Sequence, residues 1–306
     1  CVTGFLSDRR SIVSQDTCPY CRMLIESEIT IRCTRYFALF FFFNDTATTE
    51  TAAKETRGAG WPGYGPQDLR SPDLASMIAI LISANSEWSA VAGHLDPAAL
   101  LKSPFGEYFI SQVNQQPALF FQGGWGKVSA AASTQYVIDN VEPEAIINLG
   151  TCGGLRGQAE VGEILLVTDT LCYDIHERMG DPEEAIGFYS TRLDVIEPPY
   201  PQPVRLACLA SADEDIDPQK VGLLIDKFKV AAADWESAAI AWTAKRNGIK
   251  CMILRGVSDL VSAEGGEIYH DGAAGFDERA REIMFLLLDC LPQWLEKIQE
   301  RGFPRS

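Results

Sequence analysis

Histidine and positive charge are both scarce in this chain. His94, His176 and His270 are the three histidines, spread far apart in 306 residues, and a histidine metal cluster needs several ligands converging on one point. Lys and Arg together number 26 against 42 Asp and Glu, a formal net charge of −16. Nucleic-acid binding calls for a basic footprint, so that class of function is excluded. No apolar run approaches the ~20 residues of a membrane-spanning helix, and no stretch at the start has the layout of a secretory signal, so no membrane partner is expected and the cytoplasm is the expected location. Phosphate-binding signatures are also missing. There is no GxxxxGK(S/T) sequence, and the glycine spacing does not fit a dinucleotide fingerprint. Of the nine cysteines, only Cys18 and Cys21 form a CxxC pair, with no second pair to complete a zinc site. Cys152, Cys172, Cys208, Cys251 and Cys290 lie in apolar or strand-like segments, where reduced thiols act as small hydrophobes. No metal and no cofactor is expected.

Two parts of the chain differ in composition. Residues 1–76 carry 8 Lys and Arg against 9 Asp and Glu, so −15 of the net charge belongs to the remainder. Leu39 to Glu50, LFFFFNDTATTE, resembles a translated sequencing adapter, and Trp61 to Pro66, WPGYGP, is turn-rich linker by composition. Residues 1–75 are therefore expected to be a non-native or disordered extension, with Met77 as the candidate start of a catalytic domain over 77–306. Phe40 to Phe43 is too short to cross a bilayer.

From Met77 onward strand and helix patterns alternate, which predicts a three-layer α/β/α domain with a mostly parallel, mixed central sheet. The first strand is expected over Ile78 to Ser83, another over Ala118 to Gln122 and a third from Pro143 into the glycine run of INLGTCGGL. Gly123-Gly124-Trp125-Gly126 reads as a glycine turn opening a helix, and Gly150, Gly153 and Gly154 as a turn where missing β-carbons let a ligand approach. Further on, Val230 to Ala233 reads as a strand end, Trp235 to Arg246 as a helix and Ile249 to Val257 as a buried strand. That layout puts Glu236 and Asp259 at opposite ends of a helix and strand, both returning to the carboxyl edge of the sheet, where ligands bind in open α/β folds. Each also has an ordinary reading, as a helix N-terminal carboxylate and a loop Asp. Phe276 to Gln299 is expected to form a closing helix broken at Pro292.

The ordered segments GGWGKVSAAAS, INLGTCGGL, DWESAAIA and RGVSD resemble the nucleoside phosphorylase and nucleosidase superfamily. Within it they are most similar to the nucleosidases that cleave methylthioadenosine and adenosylhomocysteine. The resemblance implies acid-assisted cleavage of a purine nucleoside C–N bond, with a small-molecule nucleoside as ligand and a homodimer as the assembly. It assigns Asp259 the role of acid at the purine and Glu236 that of holding the ribose hydroxyls. Thr151 and Gly153 would line sugar and base, and Trp235 would pack near the ribose. Related phosphorylases carry an arginine where this chain has Asn148, so the resemblance favours water over phosphate as nucleophile, with Glu87 as the base that activates it. An ungapped match places Trp88 at the family's glutamate, and Glu87 takes that position with a one-residue shift. Glu87 also reads as an ordinary first-turn helix acid. In Leu209 to Asp217, LASADEDID, Asp215 stands where relatives have an aromatic residue, followed by Ile216. Asp213 matches a recurring aspartate of that loop and equally suits a turn. Phe276 begins a segment that closes over the site in relatives. The alternatives to a hydrolase are a phosphate-dependent phosphorylase and a catalytically inactive nucleoside-binding relative.

Overall fold

Strand β1 (Ile78–Ile82), IAILI, is buried along its whole length. A strand apolar on both faces needs cover on both, the environment of a central parallel strand. In the computed structural model, which describes residues 77–302 except the side chains of 268–274 and 301, β1 pairs in parallel with β4 (Gln116–Gln122) on one side and β5 (Ala145–Leu155) on the other. β5 pairs in parallel with β10 (Lys250–Ser262) from Ala145 opposite Lys250 to Leu155 opposite Val261. Beyond β4 the sheet turns antiparallel, through β3 (Glu107–Val113) to β2 (Leu101–Lys102). β10 pairs antiparallel with β6 (Ile164–Cys172), which runs parallel to β8 (Arg205–Ser211). β9 (Ala232–Asp234) lies parallel to β8 and antiparallel to the end of β5. Two short strands, β7 (Thr191–Arg192) and β11 (Gly265–Gly266), add to β6 and β10.

Alternation along the strands sorts the core into two halves. Ala79, Leu81, Leu119, Phe121, Ile146 and Ile253 pack on one face against α2 (Gly126–Val141) and α5 (Ser237–Arg246). Ile78, Ile80, Phe120, Ile147, Met252 and Leu254 pack on the other against α1 (Asn85–Leu95) and α6 (Ile268–Arg301). Successive strand residues point to opposite faces, so one apolar run serves both helix layers. The short helices α3 (Pro182–Tyr189) and α4 (Val221–Asp226) lie outside these layers in sequence, between β6 and β9. The arrangement is the three-layer α/β/α fold with a mixed central sheet. Among the described residues no helix is long and apolar enough to cross a membrane.

The structure departs from the sequence reading in four places. Gly150, Gly153 and Gly154 lie inside β5, which continues to Leu155, so they are strand residues and not a turn. β10 likewise extends past Val257 to Ser262, so Asp259 sits within a strand and not in a loop after it. α5 begins at Ser237, leaving Trp235 and Glu236 in the link from β9. α6 starts eight residues ahead of Phe276 and runs through Pro292 without a break. Leu287, Leu288, Leu291, Trp294 and Leu295 are buried around that proline, and such burial outweighs the lost backbone hydrogen bond. The expectations for residues 1–75, including the Cys18 and Cys21 pair, fall outside the described residues.

Candidate active site

A cavity of about 690 Å³ opens at the carboxyl ends of β1, β5 and β9. Its wall includes Glu87, Thr151, Gly153, Ile216, Trp235, Glu236, Asp259 and Phe276, eight of the nine residues singled out from sequence. These residues come from six separate stretches of chain. Asp213 is not on the wall.

Glu87 occupies the third position of α1 and is 2% exposed. One carboxylate oxygen accepts from the Ala84 backbone N–H at 3.1 Å, as a first-turn helix acid does. The other accepts from the Thr151 N–H at 2.6 Å and the Thr151 hydroxyl at 2.8 Å. Glu87 therefore caps its helix and faces the cavity at once. Trp88 is buried on the opposite side, where its indole N–H donates to Glu107 at 3.2 Å and its ring packs against Phe109. A helix turns ~100° per residue, so adjacent positions cannot share a face.

Glu236 does not serve its own helix. Its Oε1 accepts from the Gly126 N–H at 3.0 Å, at the start of α2. Burial, with the Asp234 charge adding to it and Arg255 opposing it, pushes the Glu236 carboxyl up to about 8. The N-terminus of α5 is instead held by Asp234, whose two carboxylate oxygens each accept from the Ser237 N–H at 3.2 Å. Asp259 owes its direction to a bulge. The β10 register against β5 shifts between Val257 and Asp259, skipping Ser258, so Val257 packs in the core while Asp259 reaches the cavity. Ser258 donates to Asp259 at 2.6 Å. Burial holds the Asp259 carboxyl above its usual range, while that hydrogen bond and the Arg279 charge pull it down.

Arg255 and Asp234 were not singled out from sequence. Arg255 is 1% exposed. Its guanidinium meets Asp234 Oδ2 at 2.9 Å and Asn148 Oδ1 at 2.8 Å, its Nε donates to the Ser237 hydroxyl at 2.9 Å, and Nη1 lies 4.0 Å from Glu87. Ser211 donates to the second Asp234 oxygen at 2.5 Å. The available signal was a charge inside each of two apolar runs, CMILRGV and VAAAD, because a buried charge must be paired.

The glycines are used mostly by the protein itself. A β-carbon on Gly150 would lie 1.7 Å from Arg255 Nη1, and one on Gly154 would meet Val257 and Leu260 at 2.7 and 2.8 Å. Gly153 faces the cavity, and there a β-carbon would meet Ile216 Cδ1 at 2.9 Å. Asp213 accepts from the Lys127 N–H at 2.7 Å and pairs with its ammonium at 3.1 Å, tying the loop after β8 to the start of α2. Cys152 lines the cavity as a buried thiol, and burial raises its pKa far above normal, which disfavours the reactive thiolate. Among the described residues no group of three or more His, Cys, Asp or Glu side chains is placed to hold a metal.

Comparison with known proteins follows the same outline. Residues 78–225 match the family model of the phosphorylase superfamily. A 5′-methylthioadenosine/S-adenosylhomocysteine nucleosidase of Bacillus thuringiensis is 25% identical over 178 residues, covering 52% of this chain and 74% of its own length. The crystal structure of the Campylobacter jejuni nucleosidase of that name superposes with a TM-score of 0.58 at 20% identity, over 71% of this chain and 99% of the other. Futalosine hydrolase of Helicobacter pylori superposes with a TM-score of 0.58 at 16% identity, over 74% and 99%. At those identities the structures speak to fold alone, and the likeness to the phosphorylase superfamily rests on the match over residues 78–225.

Proposed function

We propose that the domain is a purine nucleoside N-ribosyl hydrolase of the 5′-methylthioadenosine/S-adenosylhomocysteine type, using water as nucleophile and no cofactor. The observation that carries this reading is the convergence of Glu87, Glu236 and Asp259 on one cavity. The C1′–N9 bond breaks with its electron pair going to the purine, Asp259 supplies a proton to the base, and water adds to C1′ as Glu87 takes its proton. Asp259 must be protonated beforehand, which its burial favours. Glu236 holds the ribose hydroxyls beside Trp235, and Thr151 and Gly153 form the floor under sugar and base. Arg255 is committed to Asp234, Asn148 and Ser237, and among the described residues that line the cavity there is no arginine to hold a phosphate dianion. A homodimer, a cytoplasmic setting and a place in purine nucleoside breakdown and methionine salvage belong to the same reading.

Incubating the purified chain with a panel of purine nucleosides, with and without phosphate, tests it. Free base and free sugar are expected without phosphate. A strict need for phosphate would make the protein a phosphorylase, and binding without turnover an inactive relative.

A further inference from the structure

The start of α2 is capped from outside its own chain segment. The residue before the helix, Trp125, offers no side-chain acceptor, and carboxylates from two distant loops take its place. Glu236, in the link from β9, accepts from the Gly126 N–H at 3.0 Å. Asp213, in the loop after β8, accepts from the next N–H, that of Lys127, at 2.7 Å. The turn into the helix does not hold itself, because Gly124 and Gly126 have φ of +78° and +77°, a conformation that glycine takes easily but does not enforce. Asp213, by contrast, is fixed. Its carboxylate pairs with the Lys127 ammonium at 3.1 Å, its own N–H donates to Asp174 at 3.1 Å, and Asp174 also pairs with Lys127. The fit is close: a β-carbon on Gly126 would stand 2.8 Å from Asp213 Oδ1.

We infer that Asp213 is a positioning residue for Glu236, acting through the Gly126 N–H, with Lys127 and Asp174 holding Asp213 in place. The inference rests on the nucleoside-hydrolase reading, in which Glu236 holds the ribose hydroxyls. Asp213 lies off the cavity wall, so its effect on a substrate must pass through other residues. Gly126 and Lys127 are consecutive in the first turn of one helix, so the carboxylate that pins the second N–H also sets the direction of the first. Glu236 spends Oε1 on Gly126, which leaves Oε2 for the sugar. Released from Asp213, the glycine turn can drift, and the Glu236 carboxylate loses the donor that orients it. A misplacement of ~1 Å is enough to weaken a grip on two hydroxyls.

The test compares kcat/KM for 5′-methylthioadenosine and its 3′-deoxy analogue in the wild type, Asp213→Ala and Lys127→Met. The wild type should prefer the substrate with both hydroxyls by ~10–100-fold, the effect of one hydrogen bond to a charged group. In the variants that preference should shrink to within about threefold, carried by KM. Lys127→Met keeps the test open where Asp213→Ala does not fold. Equal losses on the two substrates, with the preference intact, mark a merely structural role and overturn the inference. A second measurement needs no turnover. In protein isotopically labelled at glycine, Glu236→Gln should move the Gly126 amide resonance in the wild-type background and leave it in place in the background of either variant. A shift of equal size in all backgrounds overturns the inference. If no nucleoside is hydrolysed, the hydrolase reading falls, and the Gly126 resonance still decides the link between Asp213 and Glu236.

Discussion

The Arg255 guanidinium lies across the α-carbon of Gly150, with Nη1 1.7 Å from where a β-carbon would stand and Glu87 Oε1 2.9 Å from the same point. Two charged side chains thus share the space that one glycine leaves open. Gly150→Ala is expected to displace the guanidinium from Asp234 and Asn148 and to destabilise the fold by ~3–5 kcal/mol, the cost of breaking a buried ion pair. Chemical denaturation measures this. A loss under about 1 kcal/mol would mean that the guanidinium relocates freely.

Asp234 joins β9, α5 and Arg255 through one carboxylate. Asp234→Ala removes the partner of a buried guanidinium and the hydrogen bonds at the start of α5. A loss of ~3–5 kcal/mol is expected, and unfolding in urea reads it.

Glu236 has an ordinary carboxylate value near 4.5 when unfolded and about 8 when folded. Between those values the unfolded chain gives up a proton that the folded chain keeps, so its contribution is full below pH 4.5 and is lost as pH rises towards 8. Denaturation midpoints for the wild type should therefore fall relative to those of Glu236→Gln across that window. Parallel curves for the two proteins would contradict the assignment.

Glu87 and Trp88 are neighbours in sequence with opposite surroundings. Under the hydrolase reading, Glu87→Gln should lower kcat by ~10²–10⁴-fold, while Trp88→Phe should alter stability more than turnover. Steady-state assays of both variants separate the two positions. Equal losses of kcat would remove Glu87 from its role.

Pro292 sits in the interior of α6 and cannot donate to the carbonyl four residues earlier. Its own carbonyl accepts from Asn114 Nδ2 at 3.1 Å, a contact that alanine would keep. Pro292→Ala is expected to raise stability by ~1–3 kcal/mol, read as a shift in Tm. An unchanged or lower Tm would show that the helix is already relaxed around the ring.

Much of the fold was legible in the chain because it is written in local patterns. Ile78 to Ile82 could only be a buried strand, and the alanine-rich stretch after Glu236 could only be a helix laid against apolar strands. The acids at 236 and 259 could be picked out as a pair because the distance between them matches one helix and one strand. The neighbours across the sheet were not legible in the same way. Gly150 reads as a turn residue until Arg255 is placed beside it, and the role of Asp259 depends on a bulge at Ser258 that composition does not announce.

What the sequence by itself determined is the alternation of strands and helices, the two faces of the core and the set of acids available to a site. Only the tertiary structure decided which of those acids are spent on the protein and which remain for a ligand: Asp213 goes to Lys127 and Asp234 to Arg255, while Glu236 and Asp259 face the cavity. The reason is physical. Backbone periodicity is a property of consecutive residues, whereas the pairing of a charge depends on which distant residue the fold brings within hydrogen-bonding reach.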